Sequence, residues 1–334
     1  MIKSSALIIA EAGVNHNGSL DLALKLVDAA SNAGADVVKF QTFKAGNLVS
    51  KSAPKANYQL LKTEKNESQF DMLRRLELSD EMHQIIIERC NKKKIRFAST
   101  GFDEVSINLL VSLGVDFLKV PSGEITNLPL LKVIGNKGLP IFLSTGMSTM
   151  QEVRNAIDIL MNAGAQKADI VAMQCTTEYP TSMKDVNLKA MVTMEKELGV
   201  KVGYSDHTEG IEVSIAAVAM GAIVIEKHFT LDRAMEGPDH ASSLEPNELK
   251  KMVKAIRNIE KALGDGIKKP GISEGKNILI ARKSIVALAP ITKGDIFTEN
   301  NITVKRPGNG ISPMKWDELI GTVSQSSYKI DELI

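Results

Sequence analysis

The chain contains few cysteines, few aromatic residues and no excess of charge. Cys90 and Cys175 are the only cysteines among 334 residues and lie outside any CxxC spacing, which argues against a disulfide framework and favours a reducing cytoplasm. The formal net charge is +1, so there is no basic field to attract nucleic acid or an anionic membrane. The apolar run at residues 6–10 is followed at once by Glu11 and is too short for a signal peptide or a membrane span. These absences predict a cytoplasmic protein that binds neither nucleic acid nor membrane.

The remaining composition, 43% hydrophobic and 24% charged, is typical of a globular protein with a large core. From Ala6 to about Leu263, apolar runs alternate with amphipathic stretches, which indicates parallel strands connected by helices. The predicted strands are Leu7–Ala12, Val37–Gln41, Ile95–Ser99, Phe117–Val120, Pro140–Ser144, Ile170–Gln174, Val200–Tyr204 and Ile223–His228. Eight such units predict an α/β fold of the (β/α)8 TIM-barrel type rather than an open sheet.

The barrel is predicted to span residues 1–263. Residues 264–277 are rich in Gly and Lys and are predicted to be a linker, while the short β-type runs and turns of residues 278–334 predict a small second domain. The polar stretch 43–78 is too long for an ordinary connection. We expect it to pass over the mouth of the barrel as a lid or an interface.

Two histidines end successive predicted strands, in Ser-Asp-His at 205–207 and Glu-Lys-His at 226–228. The carboxyl ends of barrel strands carry the active site, so His207 and His228 are predicted to share a divalent metal. The alternative is a pair of buried imidazoles satisfied by hydrogen bonds. With two imidazoles only, water and substrate oxygen would complete the shell, which favours an exchangeable manganese ion, or magnesium, over a closed zinc site.

Two lysines, Lys39 and Lys119, lie inside apolar strands. A buried lysine requires an anionic partner, and hydroxyl-bearing residues end the neighbouring strands. Phosphate fits this setting best, because it accepts hydrogen bonds from point charges and from several hydroxyl or backbone donors. The alternative is that each lysine pairs with a glutamate of the core.

With these residues in place, the chain resembles the bacterial sialic acid synthase family. The motifs that carry the resemblance are IAEAGVNHNG (9–18), VKFQT (38–42), PSGE (121–124), LSTGM (143–147), YSDH (204–207), EKHF (226–229), GPDH (237–240) and KRPGNG (305–310). Members of this family condense phosphoenolpyruvate with N-acetylmannosamine or a relative. They carry an antifreeze-like SAF domain after the barrel, which matches the predicted second domain.

The resemblance implies a role for each site residue. It places His207 and His228 on the metal, Glu124 at the proton transfers, and Arg306 in the active site of the other subunit of a domain-swapped homodimer. The residues implied around the phosphate of phosphoenolpyruvate are Lys39, Thr100, Lys119, Ser122, Ser144 and Ser205. The residues implied near the sugar or the metal water are Glu11, Gln41, Tyr179 and Asp239, and Thr177 completes the substrate-binding set. Glu11 and Arg306 are predicted to be catalytic together with Glu124. Gly101 and Gln174 depart from the residues common in the family, and both neighbour the sugar pocket.

The implied activity is condensation of phosphoenolpyruvate, N-acetylmannosamine and water to N-acetylneuraminate and phosphate, with C–O cleavage. An alternative is N,N'-diacetyllegionaminate synthesis, with 2,4-diacetamido-2,4,6-trideoxymannose as the acceptor. A synthase acting on a phosphorylated aldose would need a second basic pocket, which the sequence does not indicate. A non-enzymatic carbohydrate-binding protein would leave the set of polar strand ends incomplete, whereas every expected position is filled.

Overall fold

Eight parallel strands form the centre of the first of two units. The structure, a computed structural model, describes residues 5–55 and 67–334, and the chain divides into Met1–Gly264 and Asp265–Ile334. The strands of the first unit are β1 (Leu7–Gly13), β2 (Val37–Thr42), β3 (Arg96–Gly101), β4 (Leu118–Val120), β5 (Ile141–Ser144), β6 (Ile170–Gln174), β7 (Lys201–Asp206) and β8 (Val224–His228). They pair in the order β3-β2-β1-β8-β7-β6-β5-β4, and β3 lies beside β4. The predicted TIM-like barrel is confirmed.

Helices connect and surround these strands. They are α1 (Leu20–Ala33), α2 (Ala45–Leu48), α3 (Gln69–Arg75), α4 (Asp80–Lys93), α5 (Glu104–Ser112), α6 (Leu128–Gly135), α7 (Met150–Asn162), α8 (Leu188–Leu198), α9 (Glu212–Ala219) and α10 (Pro246–Ala262). Gly34 ends α1 in the left-handed conformation, with φ 84°, which glycine adopts without a steric penalty. The side chain of Ser79 accepts a hydrogen bond from the Met82 N–H and so begins α4, as its N-cap sequence predicts.

The register of the strands brings the polar residues at their carboxyl ends side by side. Glu11 of β1 pairs with Lys39 of β2 on one side and with His228 of β8 on the other. Ser205 of β7 pairs with Glu226 of β8. Because successive side chains of a strand alternate between its two faces, Glu226 and His228 lie on one face and Lys227 lies on the other.

Apolar residues fill the barrel below this polar layer. One cluster, which includes Ile9, Val37, Phe142 and Val224, is contributed by the strands alone, and a larger one joins the strands to the surrounding helices. The centroids of Phe117 and Phe142 are 4.3 Å apart in a stacked pair. The polar groups therefore occupy one end of a packed barrel rather than a channel through it.

The described part of the long connection after β2 contains α2 and α3. A separate hydrophobic cluster holds them, with Val14, Phe43, Met72 and Leu76 buried at its centre. Residues 56–66 of the predicted excursion lie outside the described residues. The flanking residues do line the cavity at the barrel mouth, while a role as a lid or an interface stays a prediction.

The second unit has its own small core. Its elements are α11 (Gly275–Ala281), β9 (Ser284–Ala287), β10 (Ile302–Lys305) and α12 (Trp316–Leu319), and β9 and β10 pair in antiparallel orientation. Ile285, Ile291, Phe297 and Ile302 are buried together. Within residues 5–55 and 67–334, no helix has both the length and the apolar composition needed to cross a bilayer.

Candidate active site

The carboxyl ends of the barrel strands enclose a cavity of ≈ 310 Å³. Polar side chains from the strand ends form one part of its lining, and apolar side chains from the loops after β1, β2 and β3 form another. Thirteen of the fifteen side chains predicted for the site line this cavity: Glu11, Lys39, Gln41, Thr100, Lys119, Ser122, Ser144, Thr177, Tyr179, Ser205, His207, His228 and Asp239. The barrel thus brings together residues that are far apart in sequence.

Both buried lysines reach the cavity, and each contacts a hydroxyl group. Nζ of Lys39 donates to Oγ1 of Thr100 at 2.6 Å, and Nζ of Lys119 donates to Oγ of Ser144 at 2.7 Å. Only 2% and 3% of the two lysines are exposed, so bulk water does not stabilise either ammonium. The contacts place two ammonium–hydroxyl pairs at one site, which is a suitable set of donors for a phosphate group.

Two buried glutamates face these lysines. Oxygens of Glu226 lie 3.6 Å from Nζ of Lys39 and 3.5 Å from Nζ of Lys119, and Oε2 of Glu11 lies 2.8 Å from Nζ of Lys39. Burial raises the pKa of Glu11 to about 7, because loss of hydration outweighs the attraction of Lys39. Burial also acts against ionised Glu226, but Lys119 and Lys39 together hold its pKa at about 2. Burial lowers the pKa of Lys119. The two lysines share Glu226 as a carboxylate partner, so the site is suited to an added anion.

The two predicted metal ligands lie close together. The ring centroids of His207 and His228 are 5.6 Å apart. Nδ1 of His207 is 2.6 Å from the carbonyl oxygen of Thr176 and so carries the proton, while Nε2 accepts from the hydroxyl of Tyr179 at 3.2 Å. Burial lowers the pKa of both imidazoles, that of His228 well below its ordinary value. Both rings are therefore neutral near pH 7, the form that binds a metal.

A divalent ion fits these two rings. At this separation both can reach one ion with bonds of about 2.1 Å. Nδ1 of His228 is buried without a hydrogen-bond partner among the described residues and lies 3.9 Å from Oδ2 of Asp239. In the part of the chain that the structure describes, no group of three or more His, Cys, Asp or Glu side chains forms a ready metal shell. Water or substrate oxygens would have to complete the coordination, as in an exchangeable site.

A second set of donors surrounds Gly146, which follows β5. Its N–H lies 3.0 Å from Oγ of Ser122 and 3.1 Å from Sγ of Cys175. A Cβ at Gly146 would lie 2.3 Å from Oγ1 of Thr177 and 2.8 Å from Oγ of Ser122, so any other residue would displace these two hydroxyls. Oγ1 of Thr177 is buried and has no hydrogen-bond partner within the described ranges. Because residue 146 has no side chain, the Ser122 and Thr177 hydroxyls keep their positions and can bind a ligand.

A buried ion pair lies behind the two histidines, on the outer face of the same strands. Oδ2 of Asp206 is 2.9 Å from Nζ of Lys227 and accepts from the Ser214 hydroxyl of α9 at 2.6 Å. Oδ1 of Asp206 accepts from the N–H and hydroxyl of Thr208, and Nζ of Lys227 donates to the carbonyl oxygen of Thr208. Asp206 precedes His207 and Lys227 precedes His228, so the pair connects the backbones that carry both imidazoles.

Two predicted site residues are not part of the cavity lining. Glu124 lies in a short 3-10 turn just after Ser122 and Gly123, which do line it, and its carboxylate accepts from the side chain of Asn127 at 2.6 Å. Arg306 belongs to the second unit, where its Nε donates to the carbonyl oxygen of Ala281 at 3.0 Å. The implied roles of both residues stay predictions.

Two residues, Glu226 and His83, differ in the folded protein from what the sequence predicts. Glu226 appears among the polar strand ends, but the sequence assigned it no role, although its spacing of two from His228 puts both on the inner face. The sequence around His83 predicts a helix with this histidine on its solvent-facing surface. It is instead fully buried and hydrogen-bonds to Thr42 and to the carbonyl oxygen of Ser79, because its side of α4 packs against the barrel.

The fold and the cavity together define a class. A parallel barrel whose strand ends gather ammonium–hydroxyl pairs, ionisable carboxyls and two neutral imidazoles is a barrel enzyme built for an anionic substrate. Residues 26–268 match the NeuB family, and residues 282–334 match the SAF domain. The chain therefore belongs to the NeuB family, which confirms the resemblance and the C-terminal SAF domain.

Individual relatives agree with this assignment. The chain is 54% identical to the N,N'-diacetyllegionaminic acid synthase of Campylobacter jejuni over 98% of both chains. It is 49% identical to the protein of the same name from Legionella pneumophila, over 95% of this chain and 90% of the relative. The crystal structure of the sialic acid synthetase of Leptospira borgpetersenii in complex with citrate matches with a TM-score of 0.72 and 35% identity, over 82% of this chain and 90% of that one. The expectation of an enzyme of the sialic acid synthase type is confirmed.

Proposed function

We propose that the protein condenses phosphoenolpyruvate with 2,4-diacetamido-2,4,6-trideoxymannose and water to form N,N'-diacetyllegionaminate and phosphate. The observation that carries the reaction class is the single cavity in which two lysine–hydroxyl pairs lie beside two neutral imidazoles. The acceptor is supported by relatives of that name, 54% and 49% identical to this chain. N-acetylmannosamine, which the sequence placed first, becomes the second candidate, and the 35% identical Leptospira structure supports it.

In this proposal the cationic floor of the cavity binds the enol phosphate. Lys39 and Lys119 neutralise the phosphate, and the hydroxyls of Thr100 and Ser144, already oriented by the two lysines, donate to its oxygens. Ser122 and Thr177 add donors on the side of Gly146. The phosphate then leaves by cleavage of the C–O bond, and the same charges stabilise it as the leaving group.

His207 and His228 would hold a divalent cation, for which we propose manganese, with magnesium as the alternative. Bound there, the ion supplies Lewis-acid polarisation of the acceptor aldehyde. The chain's contribution is to keep both imidazoles neutral by burial and to orient His207 through the Thr176 carbonyl. Glu226 lies within the same group of charges and compensates the two ammonium groups when the phosphate is absent.

Two carboxyls are candidates for the proton transfers. The enol methylene carbon attacks the aldehyde carbon, and the aldehyde oxygen takes up a proton to become a hydroxyl group. Water adds to the phosphate-bearing carbon and gives one proton to a base. Phosphate then leaves as the new hydroxyl on that carbon loses its second proton and becomes the keto oxygen. Glu11 lines the cavity with a pKa near 7, which suits an acid–base group. Glu124, the candidate from the sequence, lies at the edge of the lining next to Gly123.

The proposal includes three further expectations. The enzyme works in the cytoplasm, it forms a homodimer, and Arg306 of the partner subunit completes each active site. The homodimer and the role of Arg306 follow from the family resemblance, and the cytoplasmic location follows from the composition. Size-exclusion chromatography with light scattering tests whether the protein is a dimer.

Phosphate release tests the proposed function. The purified protein is mixed with phosphoenolpyruvate, Mn²⁺ and one acceptor at a time, either the diacetamido sugar or N-acetylmannosamine. We expect a higher kcat/KM with the diacetamido sugar, and a preference for N-acetylmannosamine would refute the acceptor. Lys119→Met should raise the KM for phosphoenolpyruvate, whereas Lys25→Met, which removes an exposed lysine from an i,i+4 pair, should not. No phosphate release with either sugar would refute the reaction class.

A further inference from the structure

The cavity has an apolar part that the reaction chemistry leaves unused. Beyond the strand ends, its lining includes five apolar side chains that we call the apolar wall: Leu48, Met72, Leu73, Leu76 and Phe102. All five belong to a single hydrophobic cluster, separate from the two clusters of the barrel. The enol phosphate and the metal need only charges and polar donors, so the apolar wall serves another part of the ligand.

The sequence of α3 builds most of the apolar wall. Met72 and Leu73 lie three and four residues after Gln69, and Leu76 caps the helix, so all four side chains share one face and line the cavity. Met72 and Leu76 are buried, whereas Leu73 is half-buried. Gln69 at the start of this face is the one residue of the four with a polar side chain.

Specific contacts hold the apolar wall against the barrel. A Cβ at Gly18 would lie 2.3 Å from the carbonyl oxygen of Arg75, so the end of α3 packs directly on the loop after β1. The N–H of Ala45 donates to the carboxylate of Glu77 at 2.8 Å, which connects α2 to the residues after α3. The wall is therefore a fixed surface that can select the shape and polarity of a ligand.

We propose that the apolar wall is the subsite for the 6-deoxy end of the acceptor sugar and selects a methyl group there over a hydroxymethyl group. This inference rests on the proposed function. C6 is the carbon of the open-chain hexose most distant from the reacting aldehyde, so it reaches beyond the polar strand ends. A methyl group is stabilised by contact with aliphatic side chains, whereas a hydroxyl buried there would lose its hydrogen bonds to water without replacement.

Two acceptors that differ only at C6 test the subsite. They are 2,4-diacetamido-2,4,6-trideoxymannose and its 6-hydroxy counterpart, and kcat/KM for each is measured by phosphate release. We expect kcat/KM of the natural protein to be higher for the 6-deoxy sugar, by at most about 100-fold. This is the range typical for rejection of an added hydroxyl by an apolar pocket. No preference at C6 would overturn the inference.

Substitutions in the apolar wall test whether it causes the preference at C6. Leu73→Gln, which places an amide in the apolar wall, should lower the C6 preference by about 10-fold while the KM for phosphoenolpyruvate is unchanged. Leu48→Gln is the second variant, in case the first does not fold. Leu188→Gln is the matched control, because Leu188 is a half-buried leucine that packs on the barrel core and does not line the cavity. An unchanged C6 preference in both wall variants would overturn the assignment.

The test of the C6 subsite can fail while the proposed function stands. Both sugars of the C6 pair carry acetamido groups at C2 and C4, so a change in their ratio reports on C6 alone. If the protein prefers diacetamido sugars over N-acetylmannosamine but ignores C6, the proposed function stands and the subsite fails. If it releases no phosphate with any sugar of either pair, both fail.

Discussion

The buried ion pair between Asp206 and Lys227 allows a quantitative prediction of stability. Their carboxylate and ammonium lie 2.9 Å apart with 0% and 1% of the side chains exposed. Lys227→Met keeps most of the volume but leaves Asp206 in the barrel wall without its cation. Removing one partner of such a pair lowers the free energy of unfolding by about 3–5 kcal/mol. For a unit of this size each kcal/mol lowers Tm by about 2–4 °C.

A matched control isolates burial as the cause. Lys25 and Asp21 form a similar lysine–aspartate pair at 2.7 Å, but their side chains are 60% and 73% exposed. Lys25→Met should change stability by at most about 0.5 kcal/mol, because solvent already screens an exposed i,i+4 pair. Asp206→Asn combined with Lys227→Met removes both charges and should recover part of the loss, since no unpaired ion remains.

Differential scanning calorimetry of the four proteins, with urea unfolding followed by circular dichroism, measures these differences. If Lys227→Met unfolds within 0.5 kcal/mol of the natural protein, as expected for Lys25→Met, the reasoning is refuted. If the double variant is less stable than Lys227→Met alone, the unpaired carboxylate is not the cause of the loss, and the hydrogen bonds that Asp206 accepts from Ser214 and Thr208 outweigh its charge.

Three further predictions concern the site and its surroundings. Gly146→Ala should raise the KM for phosphoenolpyruvate without unfolding the barrel, because the new methyl group would displace the Thr177 and Ser122 hydroxyls; an unchanged KM contradicts this. If Glu124 transfers protons, Glu124→Gln should reduce kcat far more than it weakens phosphoenolpyruvate binding. If only Glu11→Gln shows this loss of kcat, the role belongs to Glu11. Burial lowers the pKa of His16 and of His240 to about 4, so the unfolded chain binds protons that the folded chain does not, and stability should fall as pH drops from about 6.5 to about 4. A Tm that stays constant over this interval contradicts the last prediction.

The strands were predictable because each is a continuous apolar run buried on both faces. Every predicted strand has its counterpart in the barrel, within two residues at each end. The hydrophobic pattern does not predict helix α6, because its Leu-Pro-Leu-Leu-Lys-Val-Ile-Gly sequence is too short and too apolar to show an amphipathic period. Its start was nevertheless signalled by Asn127, whose side chain accepts from the Leu130 N–H, and by Pro129 in the first turn.

The sequence predicts which polar residues the site contains, but not the contacts among them that depend on the register of the strands. Polar residues at strand ends are visible in the sequence, and their meeting follows from the barrel. The position of Glu226 beside Lys39 depends on the pairing of β8 with β1 and of β1 with β2, which no local pattern reveals. Its approach to Lys119 of β4 depends on closure of the barrel. The apolar wall is similar, because its residues come from the connection after β2 and from the loop after β3, whose packing only the folded chain defines.

The pairing of the lysines with glutamates, which the sequence offered as an alternative to anion binding, is compatible with it in the folded protein. Glu226 is a partner shared by both lysines, and Glu11 is a partner of Lys39 whose pKa near 7 makes it only partly ionised. A full ion pair for each lysine would need two ionised carboxylates. The cavity instead holds two lysines around one shared glutamate, Glu226, and a second glutamate, Glu11, whose raised pKa allows it to be neutral. This arrangement is compatible with the anion binding that we propose.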